Sequence, residues 1–171
     1  MEKSILMVIA PNRFRDEELL VPKKIFEDAG VDVTVASTKT GTATGKLGAK
    51  VNVTTNISDV KADDFDAMVF VGGGGVEEYE LHLNPELHKL VHDAQDQDSV
   101  TAAICIAPMI LAESGILKGK NVTIFPSSED YITQRGGNLT KKSVSVDGKI
   151  VTGNGPEAAR EFAEAILRLL E

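Results

Sequence analysis

The chain has one cysteine, Cys105, in the run Ala102-Ala103-Ile104-Cys105-Ile106-Ala107-Pro108. Buried-type apolar residues precede it, and Ala107-Pro108 open a helix, so the thiol is expected at a strand-to-helix turn. Such a turn brings the residues two positions either side together, and Ala103 and Ala107 are small enough to allow it. The pattern is a cysteine version of the G-x-S-x-G nucleophile elbow. A helix N-terminus next to the thiol is expected to lower its pKa and favour the nucleophilic thiolate. The plain alternative is a small, inert core cysteine.

Two more segments bear on that thiol. Gly72-Gly73-Gly74-Gly75 follows the apolar run Ala67–Val71, and glycines there let backbone N–H groups face a reacting oxygen, as an oxyanion hole requires. The run is not a dinucleotide fingerprint, because Glu77 stands where the third glycine belongs. Gly41 to Lys46 fails as a phosphate loop, being one residue short and followed by Leu47 rather than Ser or Thr. Asp16-Glu17-Glu18 opens a helix after the first strand. Acids there complement the helix dipole, but one aimed at the sheet's mouth would have a raised pKa and share a proton with the thiol. The residues alone leave Glu17 and Glu18 equal.

The elements that position these groups alternate. Strands are expected at Ser4–Ala10, Val31–Ala36, Ala67–Val71, Val100–Ile104 and Asn121–Ile124, and helices at Asp16–Ala29, Asn84–Gln97, Ala107–Ser114 and from Pro156 onward. Pro22 predicts an irregular first turn or a kink. Thr40–Val53 reads as a small β-excursion, and Ser143–Val146 and Lys149–Thr152 as a hairpin turning at Asp147-Gly148. The fold class is therefore α/β: a doubly wound, mostly parallel sheet sandwiched by helices, with its site beyond the carboxyl ends of the strands.

Composition narrows the function. The 171 residues suit a single domain over 1–171, with 18 basic and 26 acidic residues, a net charge of −8 and scattered basic residues that argue against nucleic acid. One cysteine excludes an internal disulfide and multi-cysteine metal sites. No apolar run reaches a membrane-spanning length and no signal peptide is read, so a cytoplasmic protein with no membrane partner is expected. No metal or cofactor is expected. His88 and His92 are spaced i, i+4 but lie off the apolar helix face with no H-E-x-x-H pattern, and are expected to be solvated.

Together the segments around Glu18–Pro22, Gly41–Lys46, Phe65–Ala67, the glycine turn, Ala102–Pro108 and Gly115-Ile116-Leu117-Lys118-Gly119 resemble the ThiJ/PfpI (DJ-one) superfamily of class I glutamine amidotransferase-like proteins, over nearly the whole chain. The resemblance implies a flavodoxin-like fold and a homodimer or larger homo-oligomer. It implies that Cys105 is the catalytic thiol and that Glu18, four residues before Pro22, is the acid facing it. The oxyanion amides would be those of Gly73 or Gly74 and of Ile106. Glu78 matches the acid that completes the PfpI-type protease triad across subunits. Those proteases carry His directly after the cysteine, where this chain has Ile106, and the DJ-one branch carries a later His where this chain has Phe125. Peptidase activity is therefore disfavoured. The reading that follows is a hydrolase or glyoxalase-type enzyme acting on small reactive carbonyl or ester substrates, with Glu18 as proton shuttle. The alternative is a non-enzymatic redox sensor or stress-protective protein working through oxidation of Cys105.

Overall fold

Residues 2–171 are described in a computed structural model. The chain begins with β1 (Ser4–Val8), the short β2 (Asn12–Phe14), α1 (Asp16–Asp28) and β3 (Asp32–Ser37). The hairpin of β4 (Gly41–Gly45) and β5 (Lys50–Val53) follows, then the two-residue β6 (Thr55–Asn56). Next, β7 (Ala67–Phe70) leads through the single turn α2 (Gly75–Glu78) to α3 (Pro85–Asp96), and β8 (Val100–Ile104) runs into α4 (Pro108–Ser114). The remainder holds β9 (Asn121–Val122), α5 (Glu129–Thr133), β10 (Asn138–Leu139), β11 (Val144–Asp147), β12 (Ile150–Gly153) and α6 (Ala159–Leu170).

Seven strands form one sheet in the order β11-β12-β8-β7-β1-β3-β6. Every pair is parallel except β11 with β12. The strands β3-β1-β7-β8-β12 thus take the flavodoxin-like order, with the switch of direction between β1 and β7. Register follows the apolar pattern: Ile5 lies between Val33 and Ala67, and Phe70 opposite Ala103. Helices α1 and α6 pack together on one face, and α3 with α4 on the other. With both faces covered, Ile5–Val8, Ala67–Phe70 and Val100–Ile104 are buried throughout, which explains their continuous apolar runs.

Several expected boundaries shift. Helix α1 runs from Asp16 through the buried Pro22 without a break. Proline leaves the Glu18 carbonyl, four residues earlier, without a helical donor, and the turn holds because its neighbours are packed. The excursion at 40–53 is the β4–β5 hairpin, extended to three strands by β2. The strand expected over Asn121–Ile124 is only two residues long and pairs with β10, outside the main sheet. In the C-terminal hairpin Asp147 pairs with Ile150, so the connecting residues are Gly148-Lys149 and Asp147 belongs to the strand. The glycine at φ +59° explains the shift of the turn. Pro156 starts a 3-10 turn that hands over to α6 at Ala159. Among the described residues no helix is long and apolar enough to cross a membrane.

Helix α6 docks through Phe162, which is fully buried. Gly153 on β12 leaves the space that Phe162 and Ile104 fill, since a Cβ there would come within 3.2 Å of both. Phe162→Ala is expected to cost about 3–5 kcal/mol, measured by urea unfolding. A loss under about 1 kcal/mol would show that α6 is not held at this point.

Candidate functional site

At the end of β8 the chain turns within one residue. Cys105 has φ +64°, a left-handed backbone that a non-glycine residue adopts at a cost of roughly 1–2 kcal/mol. Hydrogen bonds on both sides hold it there. The Cys105 N–H donates to the Gly153 carbonyl at 2.9 Å, and the Phe125 N–H donates to the Cys105 carbonyl at 2.9 Å. The Ala107 N–H closes the turn on the Ile104 carbonyl at 3.0 Å. Ala103 and Ala107 are both fully buried, the packing that a tight elbow demands.

Glu18 approaches the same point from α1. Its carboxyl is fully buried, Oε1 accepts the Gly72 N–H at 3.0 Å, and Oε2 is enclosed with no partner apart from the thiol. The thiol lies beside this carboxyl, close enough for each to change the other's proton affinity. Gly72 is what lets them meet. A Cβ on Gly72 would come within 2.6 Å of Cys105 Cβ, 2.7 Å of Glu18 Oε1 and 2.7 Å of the Ile104 carbonyl. Gly73, at φ +108°, is wedged against the Arg13–Arg15 backbone and turns its own amide toward the sulfur.

The electrostatics differ from the sequence-based expectation of an acidic thiol. Burial pushes Cys105 up to about 12, and the charge and hydrogen bonding of Glu18 push it the same way. The amides of Ile106 and Gly73 pull it down, but they are outweighed. Burial likewise raises Glu18 to about 7, against the smaller opposing hydrogen bonds from Cys105 and Gly72. The helix-terminus argument fails because a thiol 7% exposed loses more by desolvation than a seven-residue helix returns. Near neutral pH the pair therefore exchanges its first proton at the carboxyl, with the second held on sulfur.

A cleft of about 190 Å³ opens over the sulfur. Gly73, Gly74, Cys105 and Ile106 line it, so four of the six residues singled out in the sequence come together, with Glu18 buried below them. Phe125 forms an apolar wall. Glu78 does not line the cleft; its carboxylate is at the surface, paired with Arg13 at 2.7 Å. Arg15, Lys46, Ser127 and Pro156 complete the lining and had no signal of their own in the sequence. A larger cleft of about 410 Å³ lies against α3, but its charges are mixed and it contains no nucleophile.

The histidines are not simply solvated. His88 Nε2 lies 2.7 Å from the His82 carbonyl and His92 Nε2 lies 2.6 Å from the Ser114 carbonyl. As donors to carbonyls, both rings tie α3 to its neighbours. Among the described residues no group of three or more His, Cys, Asp or Glu is placed to hold a metal.

A doubly wound sheet with a left-handed cysteine at a strand-to-helix turn, facing a buried acid, describes an α/β protein of the nucleophile-elbow type. Comparison with known proteins gives the family. The model of the DJ-1/PfpI family matches residues 3–169, and the chain belongs to that family. An uncharacterised protein of Methanocaldococcus jannaschii is 43% identical over 169 residues, covering 98% of this chain and 82% of the relative. A deglycase of Pyrococcus abyssi is 31% identical over 97% of this chain and 99% of its own length. Among solved structures, a ThiJ/PfpI domain protein from Brachyspira murdochii superposes with a TM-score of 0.95 at 37% identity, covering 99% and 98% of the two chains. DJ-1beta of Drosophila melanogaster gives 0.90 at 28% identity over 99% and 91%.

Two predictions follow from the buried pair. Gly72→Ala drives a Cβ into Cys105, Glu18 and a carbonyl at once, and should cost at least about 2 kcal/mol in urea unfolding and alter the rate of Cys105 alkylation. Unchanged stability and alkylation would mean that the three groups are not in contact. Glu18 is also expected to make stability pH-dependent. Its folded pKa of about 7 lies above the unfolded value of 4.5, so the folded state keeps a proton that the unfolded state has lost. Stability contributed by that proton is full below 4.5 and falls as pH rises to about 7, by on the order of 3 kcal/mol. Glu18→Gln should remove the fall and be the more stable protein at pH 8. Parallel pH–stability curves for the two proteins would overturn this assignment.

Proposed function

We propose that the protein is a cysteine-dependent enzyme acting on small reactive carbonyls, by a glyoxalase-type or related hydrolytic reaction. The observation that supports it most is the Glu18 carboxyl, enclosed with no partner for Oε2 apart from a strained, cleft-facing thiol. Once Glu18 is ionised, its carboxylate takes the thiol proton as Sγ bonds to the aldehyde carbon. The carbonyl oxygen is held by the amides of Gly73 and Ile106, with Gly74 beside them, and receives that proton as the thiohemiacetal forms. With an α-oxoaldehyde, one water is consumed and one α-hydroxy acid is released. The aldehyde carbon is oxidised and the adjacent keto carbon reduced, so no outside oxidant is needed.

The names of the Pyrococcus relatives, deglycases at about 30% identity, support a reactive-carbonyl substrate without specifying it. A redox sensor would be served by a standing thiolate, whereas burial and Glu18 keep the proton on sulfur. Peptide hydrolysis needs a proton for the leaving amine, and Ile106 supplies no imidazole. We place the enzyme in the cytoplasm as a homodimer, in which Glu78, paired with Arg13 at the surface, faces a neighbouring subunit's site.

The test is lactate from methylglyoxal and glycolate from glyoxal. Both should be formed by the wild-type protein and lost in Cys105→Ala, with Glu18→Gln reduced by about 10²–10⁴-fold. The wild-type rate should climb as pH passes about 7, because the carboxylate is the base and exists above that value. Product no greater than that of Cys105→Ala would end this reading.

A further inference from the structure

The protein is acidic overall, at −8, yet of the nine residues lining the Cys105 cleft two are basic and none is acidic. Other groups hold the Arg15 side chain and the Lys46 backbone. Arg15 is gripped by Glu17, Nε to Oε1 at 3.0 Å and Nη2 to Oε2 at 2.9 Å, a pair that leaves Nη1 unused. Its side chain is only 27% exposed. Lys46 forms no ion pair among the described residues, and it stands in the β4–β5 turn. That turn is fixed by the buried Asp16, whose Oδ1 accepts the Leu47 N–H and Oδ2 the Ala49 N–H, both at 2.8 Å. The Lys46 N–H adds a bond to the Phe14 carbonyl at 2.9 Å. Gly45 permits this closeness, since a Cβ there would lie 2.5 Å from the Asp16 carboxyl.

We infer that the cleft recognises an anion: the substrate is a small carbonyl compound bearing a carboxylate or phosphate, which Lys46 and the free edge of Arg15 hold while its carbonyl carbon faces Sγ. This rests on the carbonyl reading above and narrows its substrate class. Lys46, exposed and in no ion pair among the described residues, adds a positive charge to a cleft that already holds the Arg15–Glu17 pair, so an anion is favoured at this place against the overall charge. The Nη1–Nη2 edge of Arg15, one N–H from each nitrogen, is left by the Glu17 pair and suits an oxygen pair, and Lys46 supplies a point charge. The cleft, about 190 Å³, has room for a small metabolite. Phe125, Ile106 and Pro156 add apolar lining to the same cleft, so an uncharged part of the ligand is accommodated beside its anionic group.

The experiment compares two nearly isosteric reagents, iodoacetate and iodoacetamide, which differ in charge and alkylate the single cysteine. The ratio of their rates in the folded protein is referred to the same ratio in urea-unfolded chain. It should be about three- to tenfold higher when folded, fall in Lys46→Ala and Arg15→Ala, invert in Lys46→Glu, and shrink as salt is added. A folded ratio equal to the unfolded one, or one indifferent to Lys46 and Arg15, overturns the inference. A second measurement does not need a reactive thiol. In Cys105→Ser protein, the Gly74 and Ile106 amide resonances should shift saturably with acetate or inorganic phosphate, and not in the Lys46→Ala background. The tighter of the two identifies the anionic group, and no saturable shift with either overturns the inference. A raised alkylation ratio without lactate formation would retain anion recognition and remove the carbonyl reaction; lactate with a flat ratio would do the reverse.

Discussion

Burial of the Glu18 carboxyl against the Cys105 sulfur, across a glycine with no side chain to separate them, is the constraint around which the site is arranged. Putting a carboxyl and a thiol together out of water is unfavourable while either carries charge, and it is tolerable when the two share protons. Burial outweighs the hydrogen bonding of Cys105 and the Gly72 amide and the charge of Arg15, so the carboxyl holds its proton up to about 7. A proton acceptor poised near neutral pH and touching a nucleophile is the arrangement that base-assisted addition requires.

The sheet makes this meeting unavoidable. Glu18 follows β1, Gly72 follows β7 and Cys105 follows β8, three adjacent parallel strands whose carboxyl ends open on one side. The Val71 N–H bonds the Val8 carbonyl at 3.0 Å, the Arg15 N–H bonds the Gly72 carbonyl at 2.9 Å, and the Cys105 N–H bonds the Gly153 carbonyl. The loops are thereby stitched to one another beyond the strands themselves. The left-handed Cys105 is strained by an amount the buried core around it readily offsets, since Ile104, Ala107 and Leu111 are all fully buried.

The fold was legible where the chain repeats a simple rule. Apolar runs of strand length between amphipathic stretches give the doubly wound order, and the pairs Ala103/Ala107 and Gly72/Gly73 give the elbow and the close approach. Short pieces that owe their form to tertiary contact were not legible: β2, β6 and β10 have two or three residues each and no periodicity to read. The thiol's proton affinity was misjudged for a related reason. The helix start is written in Ala107-Pro108, while the desolvation that outweighs it depends on what folds over Cys105 from elsewhere. Arg15 and Lys46 were missed because they lie 31 residues apart and only the hairpin brings them to one cleft.

Asp16-Glu17-Glu18 shows how much one helix turn can carry. Read as dipole complements, the three acids look redundant, yet their carboxyls point to three places: Asp16 to the β4–β5 turn, Glu17 to Arg15, and Glu18 to the thiol. Successive residues on a helix diverge by about 100°, so neighbouring acids cannot crowd one target and must take separate ones. Each environment then fixes a different state. Glu17, hydrogen-bonded to a guanidinium, is held below the usual carboxylate range, while Glu18, three ångströms from one amide and otherwise enclosed, is held well above it. With Ile106 and Phe125 offering no imidazole to the cleft, Glu18, raised to about 7 by its burial, is the group beside the thiol whose proton exchanges near neutral pH.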